Sequence, residues 1–498
     1  MFWHRKSDCK PVHPDDDHDR DGHKKDKVLK FKPRRRSEEV WVRGIVQVQF
    51  QKFADSGLED WDFKKEKQRE QPSEVWSPEL REIVQKYKLV SWKPAFPLRY
   101  PWSTESDECA RACYIEAGRD KFVTFDFARG ADVLRISKDL RKVPELKRAV
   151  PVPEISAPAA PLTEPLTGRN ESHLHFKPPA DQWYLFRCGV PEAWNMGATG
   201  HHVTIADIDW GFNLNHQDLV YRVELAKSMF GNPAIVSHGN MRSHGTAVLG
   251  LAGAGINDRG MAGIAYNATL WAIQAGSNYV LDERYWVAAI NFVRTTPTHG
   301  RKVIILEVQT KGASSIEAIP SIREEIVAAI KDGIVVCVPA GNGNATGTAG
   351  SDDEGVPIEE TGSILVGATK FHPHKNERAD SNGGARIVVY APGDADSDLT
   401  CGSPPNRYRL HFGGTSGATA KVAGVVALML EKNDQLTPDE VRRILRQSQK
   451  QVVDRLDRPV GVLVDAQQAV RDAIAMRTTT ERLWSRMSVM LQGFFGLT

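Results

Sequence analysis

Cysteine is scarce in this chain, with six in 498 residues. That is too few for a disulfide framework, so an apolar core has to hold the fold. Cys109 and Cys113 have helical spacing, but no second pair matches them, and they read as ordinary thiols. An excess of either charge is missing too. Lys and Arg total 65 against 63 Asp and Glu, a formal net charge of +2 that gives no reason to propose a nucleic-acid partner. No apolar run reaches about 18 residues, so no transmembrane segment is expected. The start, Met1-Phe2-Trp3-His4-Arg5-Lys6, lacks the apolar stretch of a secretory signal. The expectation is a cytoplasmic protein, or a secreted one if the start is misassigned. Sequons at Asn170, Asn267 and Asn344 carry meaning only in the second case.

What the chain does have is an ordinary globular composition, 41% hydrophobic and 26% charged, enough for a sizeable core. Residues 1–38 are rich in Asp, His and Lys and read as a disordered charged arm. Residues 39–153 read as a small α+β domain. Val46, Val48 and Phe50 alternate in a strand over Val42–Phe50. Ser77-Pro78 caps a helix with Leu80, Ile83, Val84 and Tyr87 on one face, and Phe122–Phe127 alternates again. Asp132–Leu146 is expected to be helical, and Val150–Pro153 closes the unit as a short strand. Residues 154–180 are rich in Pro, Ala and Thr and read as a linker. Residues 181–476 alternate short β-branched strands with helices: Val203–Ile208, Thr269–Ile273, Val303–Gln309, Gly333–Val338 and Ser363–Gly367. That alternation predicts an α/β fold built on a doubly wound parallel sheet, with its site at the carboxyl ends of the strands. Residues 477–498 form an amphipathic tail. It either packs back on the protein or docks on a membrane surface or a partner.

Within the α/β region one serine stands out. Gly413-Gly414-Thr415-Ser416-Gly417-Ala418 leads straight into the apolar helix Val422–Leu430. A serine there sits at a helix N-terminus, where free N–H groups can stabilise an oxyanion. Alone, the motif could equally be a helix cap. Three other segments precede it. Val203–Ile208 runs into Asp209-Trp210-Gly211, a histidine opens the helix His244-Gly245-Thr246, and Ile334–Val338 runs into Asn342.

Asp, His, Asn and Ser in that order resemble the subtilisin-like serine proteases, over about Gln182 to Val470. His216-Gln217-Asp218-Leu219 resembles the family's His-Pro-Asp-Leu. Gly260–Ala265 resembles its Gly-x-x-Gly-Val-Ala, and Ala391-Pro392-Gly393 its Ala-Pro-Gly. The resemblance implies a subtilisin-like fold and a serine endopeptidase acting on proteins or peptides through an acyl-enzyme. Ser416 would be the nucleophile, His244 its base and Asp209 the orienting acid. Asn342 and the Ser416 N–H would hold the oxyanion. Asp207, two residues earlier on the same strand face, is the rival carboxylate. The small α+β domain resembles the propeptide-like module of such proteases, which implies an intramolecular inhibitor. An unrelated interaction domain is the alternative.

Departures from the family pattern matter. Ala247 stands where the family usually repeats His, and Gly417-Ala418-Thr419-Ala420-Lys421 replaces Met-Ala-Ser-Pro-His. Leu306-Glu307-Val308-Gln309 replaces Ser-Leu-Gly-Gly and resembles a divergent branch. Glu307 and Gln309 are therefore the substrate-binding candidates. An ionised Glu307 would favour Arg or Lys before the cleaved bond, unless backbone or Lys311 satisfies it. No cofactor is expected. Asp218 and Asn257 match calcium-binding positions of some members, so a structural calcium stays open, with no further ligand in view. Two rivals to a protease remain: a binding protein that has lost cleavage, and a peptide ligase or macrocyclase using the same groups.

Overall fold

The computed structural model describes residues 44–52, 54–58, 68–96, 119–128, 131–152, 155–156, 182–230, 242–257, 260–276, 282–343, 349–372, 374–393, 399–402, 407–409 and 412–477. The charged arm, Cys109 and Cys113, most of the linker, and the C-terminal tail lie outside them.

The first unit is a four-stranded sheet, in the order β2-β3-β1-β4, with two helices on one face. Its elements are β1 (Ile45–Phe50), α1 (Pro78–Lys86), β2 (Leu89–Pro94), β3 (Phe122–Phe127), α2 (Val133–Leu140) and β4 (Leu146–Pro151). All its pairings are antiparallel. Alternation decides which residue faces what. Val46, Val48 and Phe50 join Leu80, Val84, Ile136 and Leu140 in a core of their own. Ile45 and Phe122 point the other way, into a core shared with the larger unit. Ser77 caps α1 through the Leu80 N–H, as its position predicts. The helix expected over Asp132–Leu146 stops at Leu140. Pro144 supplies no N–H and disfavours helical geometry at Val143, so turns follow and the chain returns as β4. Strand β2 had no counterpart in the sequence reading.

Ile155–Ser156 forms β5. Two short helices follow, α3 (Trp183–Arg187) and α4 (Val190–Asn195), and then the parallel sheet. Its strands are β6 (Val203–Asp209), β7 (Val223–Ser228), β8 (Thr269–Gln274), β9 (Arg301–Leu306), β11 (Val335–Pro339), β12 (Ile364–Lys370) and β14 (Val389–Pro392). They lie in the order β7-β8-β6-β9-β11-β12-β14, all parallel. β15 (Thr400–Cys401) and β16 (Tyr408–Arg409) form a separate pair, while β13 (Asn376–Arg378), β17 (Gln451–Val453) and β18 (Pro459–Val462) extend the β12 edge. The expected strand Val303–Gln309 is interrupted. β9 ends at Leu306, and Glu307 and Val308 lead to a separate two-residue strand, β10 (Gln309–Thr310).

Helices cover both faces, as parallel strands require. On one side Val203, Ile205, Val303, Ile305 and Val335 meet α5 (Arg242–Gly253), α8 (Gly414–Lys432) and α9 (Pro438–Arg446). On the other side Ala206, Ile208, Ile304, Leu306 and Val336 meet α6 (Glu283–Thr295) and α7 (Pro320–Lys331). The small unit docks on that second side. The Gln47 side chain donates to Ser321 Oγ at 3.1 Å and accepts the Ser321 N–H at 3.2 Å, at the start of α7. Arg119 pairs with Glu325 of α7, and Arg148 with Glu359. Among the described residues no helix is long and apolar enough to cross a membrane.

Helix α8 approaches its neighbours closely where it carries Gly424. A Cβ there would lie 2.7 Å from Ile264 Cβ and 3.1 Å from the Ala252 carbonyl oxygen. Elsewhere in a helix Gly→Ala gains about 1 kcal/mol of propensity. Overpacking costs about 1–3 kcal/mol. Gly424→Ala should therefore lower stability, read as a drop in the denaturant midpoint. A rise would mean that the contact relaxes freely.

Candidate active site

Strands β6, β9 and β11 end on the same edge of the sheet, and the chemistry collects there. Asp209 is the last residue of β6, Glu307 follows β9 directly, and Asn342 lies three residues beyond β11. α5 and α8 then bring His244 and Ser416 over that edge from the first side of the sheet.

Asp209 is fully buried and faces the imidazole. His244 Nδ1 lies 2.8 Å from Asp209 Oδ2 and 3.0 Å from Oδ1, and the Trp210 N–H donates to Oδ1. Asp209, and not Asp207, is the carboxylate that reaches the histidine. Phe412 packs edge-on against the ring at 5.2 Å. Burial works against the charged imidazolium. The Asp209 carboxylate and its hydrogen bond, helped by Glu307, outweigh burial and raise the proton affinity of His244. Its Nε2 has no hydrogen-bond partner among the described residues, and neither does the Ser416 hydroxyl.

Ser416 falls in the first turn of α8, where backbone N–H groups have no acceptor within the helix. Gly414 makes that turn with φ +65°, a backbone state costly for any residue with a side chain. The Asn342 side chain braces it. Its Oδ1 accepts the Thr415 N–H at 2.9 Å and the Thr415 hydroxyl at 3.0 Å, which leaves the buried Nδ2 unused. Gln309 Oε1 in turn accepts the Asn342 N–H at 3.0 Å. Behind the serine, Lys421 is 0% exposed. Its ammonium donates to the Pro392 carbonyl at 2.9 Å and the Gly417 carbonyl at 3.3 Å, and it stands over the Tyr184 ring.

Glu307 turns inward. It is 0% exposed, and neither carboxyl oxygen has a hydrogen-bond partner among the described residues. Burial first, and Asp209 next to it, push its pKa up to about 8 against the opposing pull of His244 and Ser416. The Ser416 hydroxyl is close enough to steady that charge but falls outside hydrogen-bond geometry. Asp207, also fully buried, has its pKa raised by burial and by the Asp209 and Glu307 charges. On the other flank of this group, β10 pairs antiparallel with β5, Gln309 with Ser156 and Thr310 with Ile155. Two residues of the segment expected to be a linker thus lie along the strand that holds Gln309.

Asp218 and Asn257 do meet, but as a hydrogen bond. Asn257 Nδ2 donates to Asp218 Oδ1 at 2.9 Å. The Tyr408 hydroxyl and the Met261 N–H donate to Oδ2 at 2.7 and 3.2 Å. Calcium needs about six to eight oxygen ligands. A carboxylate ringed by donors does not fit it. His216 and Cys401 lie beside Asp218, with their ligand atoms within 4.8 Å of one another. Both nitrogens of His216 are engaged, Nδ1 by the Asp218 N–H and Nε2 by the Arg407 carbonyl, so this trio does not fit a softer metal either.

The chain is similar to several known proteins. The subtilase family profile matches residues 200–462. Subtilisin amylosacchariticus of Bacillus subtilis subsp. amylosacchariticus is 30% identical over 254 residues, which cover 51% of this chain and 62% of that protein. An intracellular serine protease of Paenibacillus polymyxa is 30% identical over 244 residues, 48% of this chain and 70% of that protein. Fervidolysin from Fervidobacterium pennivorans, described as a keratinolytic enzyme related to subtilisin, has a similar fold. The TM-score is 0.54 at 18% identity, over 86% of this chain and 61% of that one. The match therefore spans less than two thirds of the length of the first of these subtilisins.

Tyr408→Phe removes one of three donors from a buried carboxylate and should cost about 1–3 kcal/mol of stability. Thermal melts with and without a calcium chelator check this. A chelator effect larger than the Tyr408→Phe effect would show that the site holds an ion after all.

Proposed function

Because this chain belongs to the subtilase family, we propose that it is a serine endopeptidase that hydrolyses peptide bonds through an acyl-enzyme. The observation that carries this reading is the set of unspent groups around one serine. They are the Ser416 hydroxyl, His244 Nε2 and Asn342 Nδ2, with Asp209 already holding the far side of the imidazole. In this reading Ser416 Oγ attacks the scissile carbonyl while His244 Nε2 takes its proton. The bond formed is C–O. The C–N bond then breaks as His244 returns the proton to the leaving amine. Water repeats the sequence in reverse and frees the acid. Asp209 keeps His244 in the tautomer that bares Nε2. Asn342 Nδ2 and the Ser416 N–H receive the oxyanion.

Gln309 takes two tasks in this proposal. Its side chain braces the Asn342 loop, and the β10 backbone offers an edge for an extended peptide. The pairing of β5 with β10 supports the second task. It also supports reading the first unit as an intramolecular inhibitor, because the chain leaving that unit lies on the substrate edge. Linkage through some 25 residues keeps the inhibitor at about millimolar effective concentration, so weak binding suffices to silence the uncut enzyme. Release then needs a cut between about residues 153 and 180.

A fluorophosphonate should label Ser416, and Ser416→Ala should abolish both labelling and peptide cleavage. Asn342→Leu should lower kcat by about 10²–10³-fold with little change in KM. An unreactive Ser416 would leave the binding-protein reading standing, and transfer to an added amine in place of hydrolysis would convert the reading to a ligase.

Purified wild-type protein should also yield a fragment that begins between residues 155 and 180, while Ser416→Ala stays full length. Intact mass over time decides this. An active enzyme that is never cut would make the first unit a permanent partner domain.

A further inference from the structure

Glu307 is a buried acid with no stated task. The registers fix where it stands. Ile208 of β6 pairs with Leu306 of β9, and the Glu307 N–H donates to the Ile208 carbonyl at 3.0 Å, so Asp209 and Glu307 are neighbours across adjacent strands. Asp207 precedes Asp209 by two residues on the same face, and Cys337 of β11 pairs with Ile305, two before Glu307. One face of three strands thus presents Asp207, Asp209, Glu307 and Cys337. That face is covered by α5 and α8, which carry His244 and Ser416. Arg409 adds a cation over Phe412, the ring that packs on His244. That face thus gathers three buried carboxyls and a thiol, and of these groups Asp209 and Glu307, with the Arg409 guanidinium, act on the His244 imidazole.

Of the three carboxyls, only Asp209 holds the imidazole through a hydrogen bond. Three negative charges in one buried cluster, two of them on carboxyls with no hydrogen-bond partner among the described residues, would be very costly. Protons have to reside among these groups. Asp207, with no such partner for either oxygen and its proton affinity raised by burial, holds one, and Glu307 and His244 compete for the next. We propose that Glu307 is a positioning residue for that proton: its carboxyl and the His244 imidazole share it beside the Ser416 hydroxyl. The claim rests on Ser416 and His244 acting as described under the proposed function. With the proton on Glu307, His244 is neutral and Nε2 is a base. With the proton on His244, the Glu307 carboxylate faces an imidazolium and the base is lost. No electrons or further reactants are involved: one proton is held either on a Glu307 oxygen or on His244 Nε2, and the two groups influence each other through their charges. The upward push on Glu307 and on His244 runs in the same sense, each group favouring the proton the other releases.

The test follows the His244 Hδ1 proton by NMR across pH, in the full-length Ser416→Ala chain, which cannot digest itself. With Glu307 present, the signal should titrate in two steps. With Glu307→Gln it should titrate in one, at lower pH, with proton affinity reduced about tenfold or more, as loss of a neighbouring opposite charge implies. Glu307→Asp keeps a carboxyl and should restore a second step, which also covers the case where the glutamine variant folds poorly. An unchanged midpoint in Glu307→Gln overturns the proposal. So does a loss of cleavage after Arg or Lys with no change in the titration, which would make Glu307 a substrate-recognition residue. Fluorophosphonate labelling of the unmutated chain is the separate control. Its failure removes the protease reading, while the titration still reports on the shared proton.

Discussion

A carboxylate with no access to water has to be satisfied where it stands, and the site is organised around meeting that demand at Asp209. The β6 strand places it at the sheet edge, and the Trp210 N–H and His244 Nδ1 serve its oxygens. Meeting the demand fixes the imidazole, and the fixed imidazole is the one that bares Nε2. In the proposed reaction, a group put there to satisfy a buried charge is thereby oriented for proton transfer. The same logic runs one shell out. Gln309 satisfies the Asn342 N–H, Asn342 Oδ1 satisfies Thr415, and what is left over, Nδ2, is the donor available to an oxyanion.

Close approach of small residues makes this geometry attainable. A Cβ on Gly245 would lie 2.5 Å from Phe212 and 2.7 Å from the Gly211 carbonyl, so α5 starts in contact with the turn after β6. A Cβ on Gly393 would lie 2.3 Å from the Gly414 carbonyl, so the loop after β14 touches the serine turn. Precision at the serine is thus set by backbone-to-backbone contact, which is stiffer than side-chain packing. Lys421 belongs to the same arrangement. A buried ammonium held by two carbonyls ties the Pro392 loop to α8, at the place where other members of the family carry a histidine.

Much of this was legible in the sequence. The apolar run Val203–Ile208 ending in an acid announced β6 and its carboxylate, and the small-residue turn before Val422 announced α8. Asp209 could be preferred over Asp207 from the glycine at 211, and Asp209 is the carboxylate hydrogen-bonded to His244. What stayed hidden depends on register and on contact at a distance. Nothing local to Leu306-Glu307-Val308-Gln309 says that the strand breaks after Leu306, because the break comes from a tight turn in which the Val308 N–H donates back to the Leu306 carbonyl. The inward direction of Glu307 could have been found by counting parity along β6 and β9, but only once their pairing was known. Short edge strands such as β13 and β18 carry too few residues for any pattern. β2 ends on Pro94 and interleaves charge with apolar residues, which masks its period. The helix expected to run to Leu146 was overextended because the apolar spacing continues past Pro144 while the backbone cannot.

The first unit is held by α6 and α7, on the opposite side of the sheet from α5 and α8. Only two residues of the chain leaving it, Ile155 and Ser156, reach the β10 edge. A molecule gripped at the back does not fall away when the strap across the front is severed. Scission changes the molecularity of the contact instead: what was one molecule becomes two, and occupancy of the β10 edge begins to depend on dilution. Under the proposed inhibitor reading, a severed pair held at high concentration would stay together and quiet. Diluted, it would come apart with no further chemistry, so concentration itself would act as the trigger.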